Sequence, residues 1–180
     1  MKNDKIEHFS TPGENPQPTP VRRLPPLLRR AWYNLNQAFR RRISHTGLTP
    51  DQYTILRLLS EGPPDGLTQR ELCVRMCSDP NTMASLLSRM EKCSLLERRT
   101  HEDDRRAHRV SILPEGKQYY QELREIAIKL QDSILDAVPV KRREQFVSDL
   151  ERIGDACQAQ VNAETSRQKG LGKKRKNDTL

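Results

Sequence analysis

Residues 68–113 read TQRELCVRMCSDPNTMASLLSRMEKCSLLERRTHEDDRRAHRVSIL, two short helical signals followed by two stretches of alternation. Thr68-Gln69-Arg70-Glu71 places a hydroxyl at a helix N-cap and a carboxylate three residues later, the pattern of a reciprocal capping box. The helix it opens turns Leu72, Cys73 and Met76 inward. Ser78-Asp79-Pro80 then breaks the chain and restarts it, with Asp79 as cap and proline at the first helical position. On this second helix Met83, Leu86, Leu87, Met90 and Cys93 make an inner stripe, and Thr82, Ser85, Arg89 and Lys92 an outer one. After Ser94 the period changes from about 3.6 to about 2. Leu96, Arg98 and Thr100 fall on one side of a strand and Leu95, Glu97 and Arg99 on the other. His101 to Ala107 form a charged loop, and His108 to Leu113 alternate again as a returning strand.

Two short capped helices joined by a tight turn form a helix-turn-helix, and a basic hairpin directly after it makes a winged helix. The second helix of such a unit fits the major groove, about 12 Å wide, and reads base edges with its outward side chains. Here these are Asn81, Thr82, Ala84, Ser85, Ser88 and Arg89. Arg89 can make a bidentate contact to guanine or a phosphate clamp. Thr82 and Ser85 can bond phosphate or base, and Ala84 offers only an apolar contact. Arg105 and Arg106 at the wing tip suit a narrow minor groove, where negative potential is enhanced.

Outward from this unit the chain is helical. Leu28, Ala31, Trp32, Leu35, Ala38, Phe39 and Ile43 share one face of a helix starting at Leu27 and ending at Gly47. Thr49-Pro50-Asp51-Gln52 caps a helix that buries Tyr53, Leu56 and Leu59 and stops at Gly62-Pro63-Pro64. Pro114 opens a long helix with Tyr119, Leu123, Ile126, Leu130 and Ile134 in line. A break at Pro139 precedes a last helix carrying Phe146, Leu150, Ile153, Cys157 and Val161. These last stripes are wider than one small domain can bury, so with the first helix they are expected to form a dimer interface. The fold class is therefore mainly α, an α+β winged helix-turn-helix with N- and C-terminal dimerisation helices. Residues 21–166 make one domain, with 48–113 as the DNA-binding part and 21–47 and 114–166 as dimerisation helices. Residues 1–20, rich in proline and polar residues, read as a disordered arm, and 167–180 as a disordered basic tail.

The 180 residues carry 32 Lys and Arg against 24 Asp and Glu, a net charge of +8. The excess is uneven. Residues 21–50 hold seven arginines and no acid, and 167–180 hold six basic residues and one acid. The helix-turn-helix, 68–93, holds four basic and three acidic residues. The first helix and the tail are thus expected to supply salt-dependent attraction, while specificity rests on a few nearly neutral positions. No run of roughly 20 apolar residues is present, and the first twenty have no apolar stretch of signal-peptide kind. The expectation is a soluble, cytoplasmic protein without membrane contact.

At these residues the chain resembles the MarR family of bacterial transcription regulators, over most of 27–162. Asp104-Arg105-Arg106-Ala107, the strand to Ile112-Leu113 and then Pro114-Glu115-Gly116 are similar to the family's wing signature of Asp-x-Arg, five residues, an aliphatic residue and usually Thr. Asn81 to Glu91 resembles the family's recognition helix, and Leu95-Leu96-Glu97-Arg98 its entry to the wing. The resemblance implies a homodimer with two winged helices at its base and the first and last helices interlocked. It also implies a pseudo-palindromic operator with half-sites about one helical turn apart. Members usually repress promoters and release DNA when a small, often aromatic, molecule binds. By position Asp104 would pair with a nearby arginine to brace the wing, and Arg106 would enter the minor groove. The chain departs from the pattern at three places. Ser85 stands where many members have Arg, Ser94 where Gly is common, and Leu113 where Thr usually caps the next helix. A positive φ at Ser94 would strain the turn, and a lost cap costs about 1 kcal/mol.

Other residues invite sharper readings and have plainer ones. Cys73 and Cys77 lie one helical turn apart, but no second Cys/His pair has zinc-like spacing, so packed, reduced thiols are expected and no metal. The family's peroxide sensors carry their cysteine near the first helix, where this chain has none. Cys157 at the presumed interface is the alternative sensor. Trp32, Tyr33, His45 and Tyr53 are candidates for an effector pocket. The plainer reading makes Trp32 a core or interface aromatic and His45 a polar helix end. The expected function is a homodimeric, sequence-specific DNA-binding repressor without a cofactor. An architectural or adapter protein without ligand response is the alternative. No nucleophile–base pair, phosphate loop or metal cluster supports an enzyme.

Overall fold

The computed structural model describes residues 23–100 and 108–177. The chain divides into two units, residues 1–37 and 38–180. Helix α1, Leu24–Arg42, begins in the first and ends in the second. It stops five residues before Gly47. A 3₁₀ turn, Ser44–Thr46, follows, and Gly47, at φ 72°, closes that turn instead of the helix. The glycine therefore marks the end of a tighter second turn.

Helix α2, Pro50–Ser60, has the full capping box: the Gln52 amide donates to Thr49 Oγ1 at 3.3 Å, and the Thr49 amide to Gln52 Oε1 at 2.8 Å. Strand β1, Leu67–Thr68, comes next and is too short for the alternation that identifies strands from sequence. Helix α3, Gln69–Arg75, is capped reciprocally by Thr68 and Glu71, and α4, Pro80–Lys92, by Asp79. Strands β2, Leu96–Thr100, and β3, His108–Ile112, pair antiparallel with Arg98 opposite Val110. Because β1 pairs with β3 on its other edge, Leu67 opposite Val110, the sheet runs β1-β3-β2. Gly66 makes this third strand possible. At φ 88°, it lies so close to β3 that a Cβ would sit 2.1 Å from the Val110 carbonyl oxygen.

Helix α5, Pro114–Leu135, starts without a side-chain cap at Leu113, as its sequence implies. Its buried line is Gly116, Tyr120, Leu123 and Leu130, with Tyr119 only half-buried and Ile134 exposed. A second 3₁₀ turn, Val140–Arg142, leads to α6, Arg143–Asn177. The helix covers most of the stretch read as a disordered tail, where Lys, Arg and Gln are good helix formers. The residues of the expected N-terminal arm lie outside the described part.

The core of the second unit gathers Ile43, Ile55, Leu56, Leu67, Leu72, Met83, Leu87, Met90, Leu95, Leu96, Val110 and Leu123, each at most 2% exposed. Ile43 just after α1, helices α2 to α5 and all three strands contribute, so α4 stands on a shared base. Among the described residues no helix is long and apolar enough to cross a membrane.

Candidate nucleic-acid interface

Helix α4 is positioned from both ends. At its start the Asp79 carboxylate accepts the amides of Asn81 and Thr82, each at 3.0 Å. The Thr82 hydroxyl and then these amides hold the Asp79 carboxyl below the usual carboxylate range. Gln69, at the start of α3, donates to the Pro80 carbonyl at 3.4 Å and ties the two helix starts together. Glu71 is likewise held below its usual range, by the Thr68 amide and then its hydroxyl.

Along the helix Met83, Leu86, Leu87 and Met90 are buried. Asn81, Thr82, Ser85, Arg89 and Lys92 are exposed, and Ala84 and Ser88 are half-buried. This is the stripe of polar side chains the spacing predicts. Cys93 departs from it: the helix ends at Lys92, Cys93 is the C-cap residue, and its side chain is exposed. Ser94 follows at φ 55°, the left-handed region that favours glycine, so the expected strain is present. Cys77, between α3 and α4, has φ 48° and is exposed, contrary to the packed thiol expected from sequence. Of the four cysteines only Cys73 is partly buried, and burial pushes its thiol up. None is in a disulfide. Among the described residues no cluster of three His, Cys, Asp or Glu could hold a metal ion.

Arg98 occupies the first part of the wing, but its guanidinium is engaged within the protein. Its Nε donates to Glu91 Oε2 at 3.0 Å and its backbone amide to Glu91 Oε1 at 3.1 Å. Glu91 is a site residue that spacing alone does not reveal, because the contact crosses the turn from α4 to β2. Asp104, Arg105 and Arg106 lie outside the described residues.

The four aromatic and histidine candidates for an effector pocket are not equivalent. Trp32 and Tyr33 are exposed on α1, at 64% and 56%. Tyr53 is a core residue: its ring meets Phe39 edge-on at 4.9 Å and stacks on Tyr120 at 6.3 Å. The reason is α2's phase, which aligns Tyr53 with Leu56 and Leu59. The Tyr120 hydroxyl donates to Glu61 at 2.6 Å, and burial followed by this carboxylate raises the Tyr120 pKa. His45 is exposed, with Nε2 at 3.0 Å from Glu122 Oε1 on α5.

Comparison with known proteins places this arrangement. The sequence model of the MarR family matches residues 46–107. A protein named as the transcriptional regulator of the hcr operon in Thauera aromatica is 32% identical over 111 residues, 61% of this chain and 65%, just under two thirds, of its own. The crystal structure of an S. aureus MepR–DNA complex aligns over 72% of this chain and 95% of the MepR chain, at 19% identity and a TM-score of 0.67. CouR of Rhodococcus jostii RHA1, crystallised with p-coumaroyl-CoA, aligns over 71% and 88% at 24% identity and a TM-score of 0.64.

Proposed function

Because the chain belongs to the MarR family, whose members are transcriptional regulators, we propose that it is a homodimeric, sequence-specific DNA-binding repressor released by a small aromatic effector. The observation that carries this reading is α4. A doubly braced helix turns its apolar stripe into the core and leaves Asn81, Thr82, Ser85 and Arg89 in solvent. A stripe of amide, hydroxyl and guanidinium groups on a rigid rod suits base edges and phosphates in a major groove. In this reading Arg89 is the main base-reading or phosphate-clamping side chain, with Ala84 and Ser88 at the contact edge. Arg105 and Arg106 of the wing enter the adjacent minor groove. The DNA bound by MepR supports the choice of duplex DNA as partner.

The homodimer is supported by apolar side chains that one copy leaves in water. Leu24, Leu27, Trp32 and Leu35 are exposed on α1, and Phe146, Val147, Leu150 and Val161 on α6. Leu135 and Val147 line an open groove of about 460 Å³ beside Arg143 and Glu151. A second copy covering these faces removes an exposed apolar surface unusual for a monomer. The effector reading is supported by the exposure of Trp32, Tyr33 and His45, and by the aromatic acyl group bound to CouR. Tyr53 has no part in this reading, since its ring is packed in the core against Phe39 and Tyr120.

Footprinting of the full chain on the DNA upstream of its own gene tests the proposal. A protected pseudo-palindrome is expected, with release by one member of an aromatic-acid series. Uniform coating would instead make the protein architectural.

A further inference from the structure

Glu91 lies in the last turn of α4, and Arg98 is the third residue of β2. Between them stand the C-cap Cys93 and the left-handed Ser94, so the backbone reverses sharply between helix and wing. β2 is an edge strand, with β3 as its neighbour in the sheet. The Arg98 amide is given to Glu91 Oε1 at 3.1 Å, and the guanidinium grips Oε2 through Nε at 3.0 Å and through a second nitrogen. One carboxylate thus accepts a backbone and a side-chain group of the same strand residue. Both side chains are mostly covered, Arg98 at 26% and Glu91 at 35% exposure. Charge-assisted bonds in a partly desolvated setting are the stronger kind. β2 ends at Thr100, and the sequence then runs into 101–107, which hold Arg105 and Arg106.

We infer that Glu91 and Arg98 are positioning residues: the pair fixes the angle between the reading helix and the wing, and Arg98 acts through Glu91 instead of through a phosphate. The inference rests on the DNA-reading proposal. It reverses a sign expected from charge alone. Removing an acid near a DNA-facing surface ordinarily strengthens binding, whereas removing Glu91 here misaligns the wing and weakens it.

The test compares Glu91→Gln, Arg98→Lys, Arg98→Ala and the Glu91→Gln/Arg98→Ala double variant as full chains, each first shown to melt like the wild type. The DNA is the fragment protected by the wild type. Glu91→Gln and Arg98→Lys are each expected to weaken binding by about 10- to 100-fold. The double variant should be no weaker than the worse single one, and the slope of affinity against salt should stay at its wild-type value in all. Hydroxyl-radical protection at the minor-groove positions should fade while protection of guanine N7 in the major groove persists. Unchanged or tighter binding by Glu91→Gln would overturn the inference. So would full retention of affinity by Arg98→Lys, or a fall in salt slope of about 0.9 for Arg98→Ala, the mark of one lost phosphate contact. Hydrogen exchange of the Arg98 amide in the free protein decides the anchor without DNA. Acceleration in Glu91→Gln supports it, and unchanged exchange refutes it even if the wild type protects no operator.

Discussion

Gly116 is the third residue of α5 and is buried, and replacing it with alanine sets two effects of opposite sign against each other. Its φ is not positive, so alanine fits the backbone conformation. Helix propensity alone then favours alanine by about 1 kcal/mol. Space says otherwise. The added Cβ would lie 2.1 Å from the Leu95 carbonyl oxygen, 3.0 Å from Ile112 Cγ1 and 3.1 Å from Leu56 Cδ2. The nearest of these is backbone, and that same oxygen accepts the Leu113 amide at 3.1 Å. Relief therefore requires α5 to back away from the entry to β2, stretching this bond and loosening a fully buried Leu56. Overpacking costs about 1–3 kcal/mol and a weakened hydrogen bond about 1 kcal/mol more. After the propensity gain the net loss for Gly116→Ala is about 1–3 kcal/mol. In a chain of this size that lowers Tm by roughly 2–12 °C. Urea unfolding followed by circular dichroism, with the slope checked for constancy, measures it. A variant as stable as the wild type, or more so, would refute the close approach of α5 to Leu95.

Other predictions test other joints. Ser94→Gly removes the left-handed penalty and should stabilise the fold by about 0.5–1 kcal/mol net of glycine's greater unfolded entropy, read from the same urea curves. Asp79→Ala should lower Tm at neutral pH. The folded-state pKa of Asp79 is depressed, so its contribution is fully present above the unfolded value of about 3.9 and lost as pH falls through the lower folded value. The gap between the two melting curves should therefore close in acid. Leu150→Asp, on an exposed apolar position of α6, should shift the sedimentation of the protein from dimer to monomer. An unchanged sedimentation coefficient would remove α6 from the interface.

What could be read from sequence was local. Thr49-Gln52, Thr68-Glu71 and Asp79-Pro80 set helix starts through bonds spanning three residues, and each cap is present in the fold. The alternation of 95–100 and 108–113 likewise carries its own signal, and β2 and β3 form there. The failures are of longer range or finer phase. β1 has two residues and exists because Gly66 allows the chain to lie against β3, a pairing of Leu67 with Val110 and of Thr68 with Arg109 that is far apart in sequence. Tyr119 and Tyr120 are adjacent, so periodicity alone could not say which faces Tyr53. The packing of α2 on α5 selects Tyr120. Cys93 continues the inner stripe only while the helix lasts, and it is the cap. By sequence Arg98 is one more basic residue of a hairpin, and only the fold brings Glu91, seven residues earlier, against its amide and guanidinium.

The proposal that α4 reads base sequence is tested most directly by Arg89→Ala, measured on the fragment upstream of the chain's own gene and on unrelated DNA of equal length at one salt concentration. The wild type is expected to prefer the first by about 1,000-fold or more. Arg89→Ala should lose about 1–3 kcal/mol on that fragment with a much smaller loss on unrelated DNA. An equal loss on both would make Arg89 a phosphate contact without readout, and no loss on either would contradict the placement of α4 in the groove.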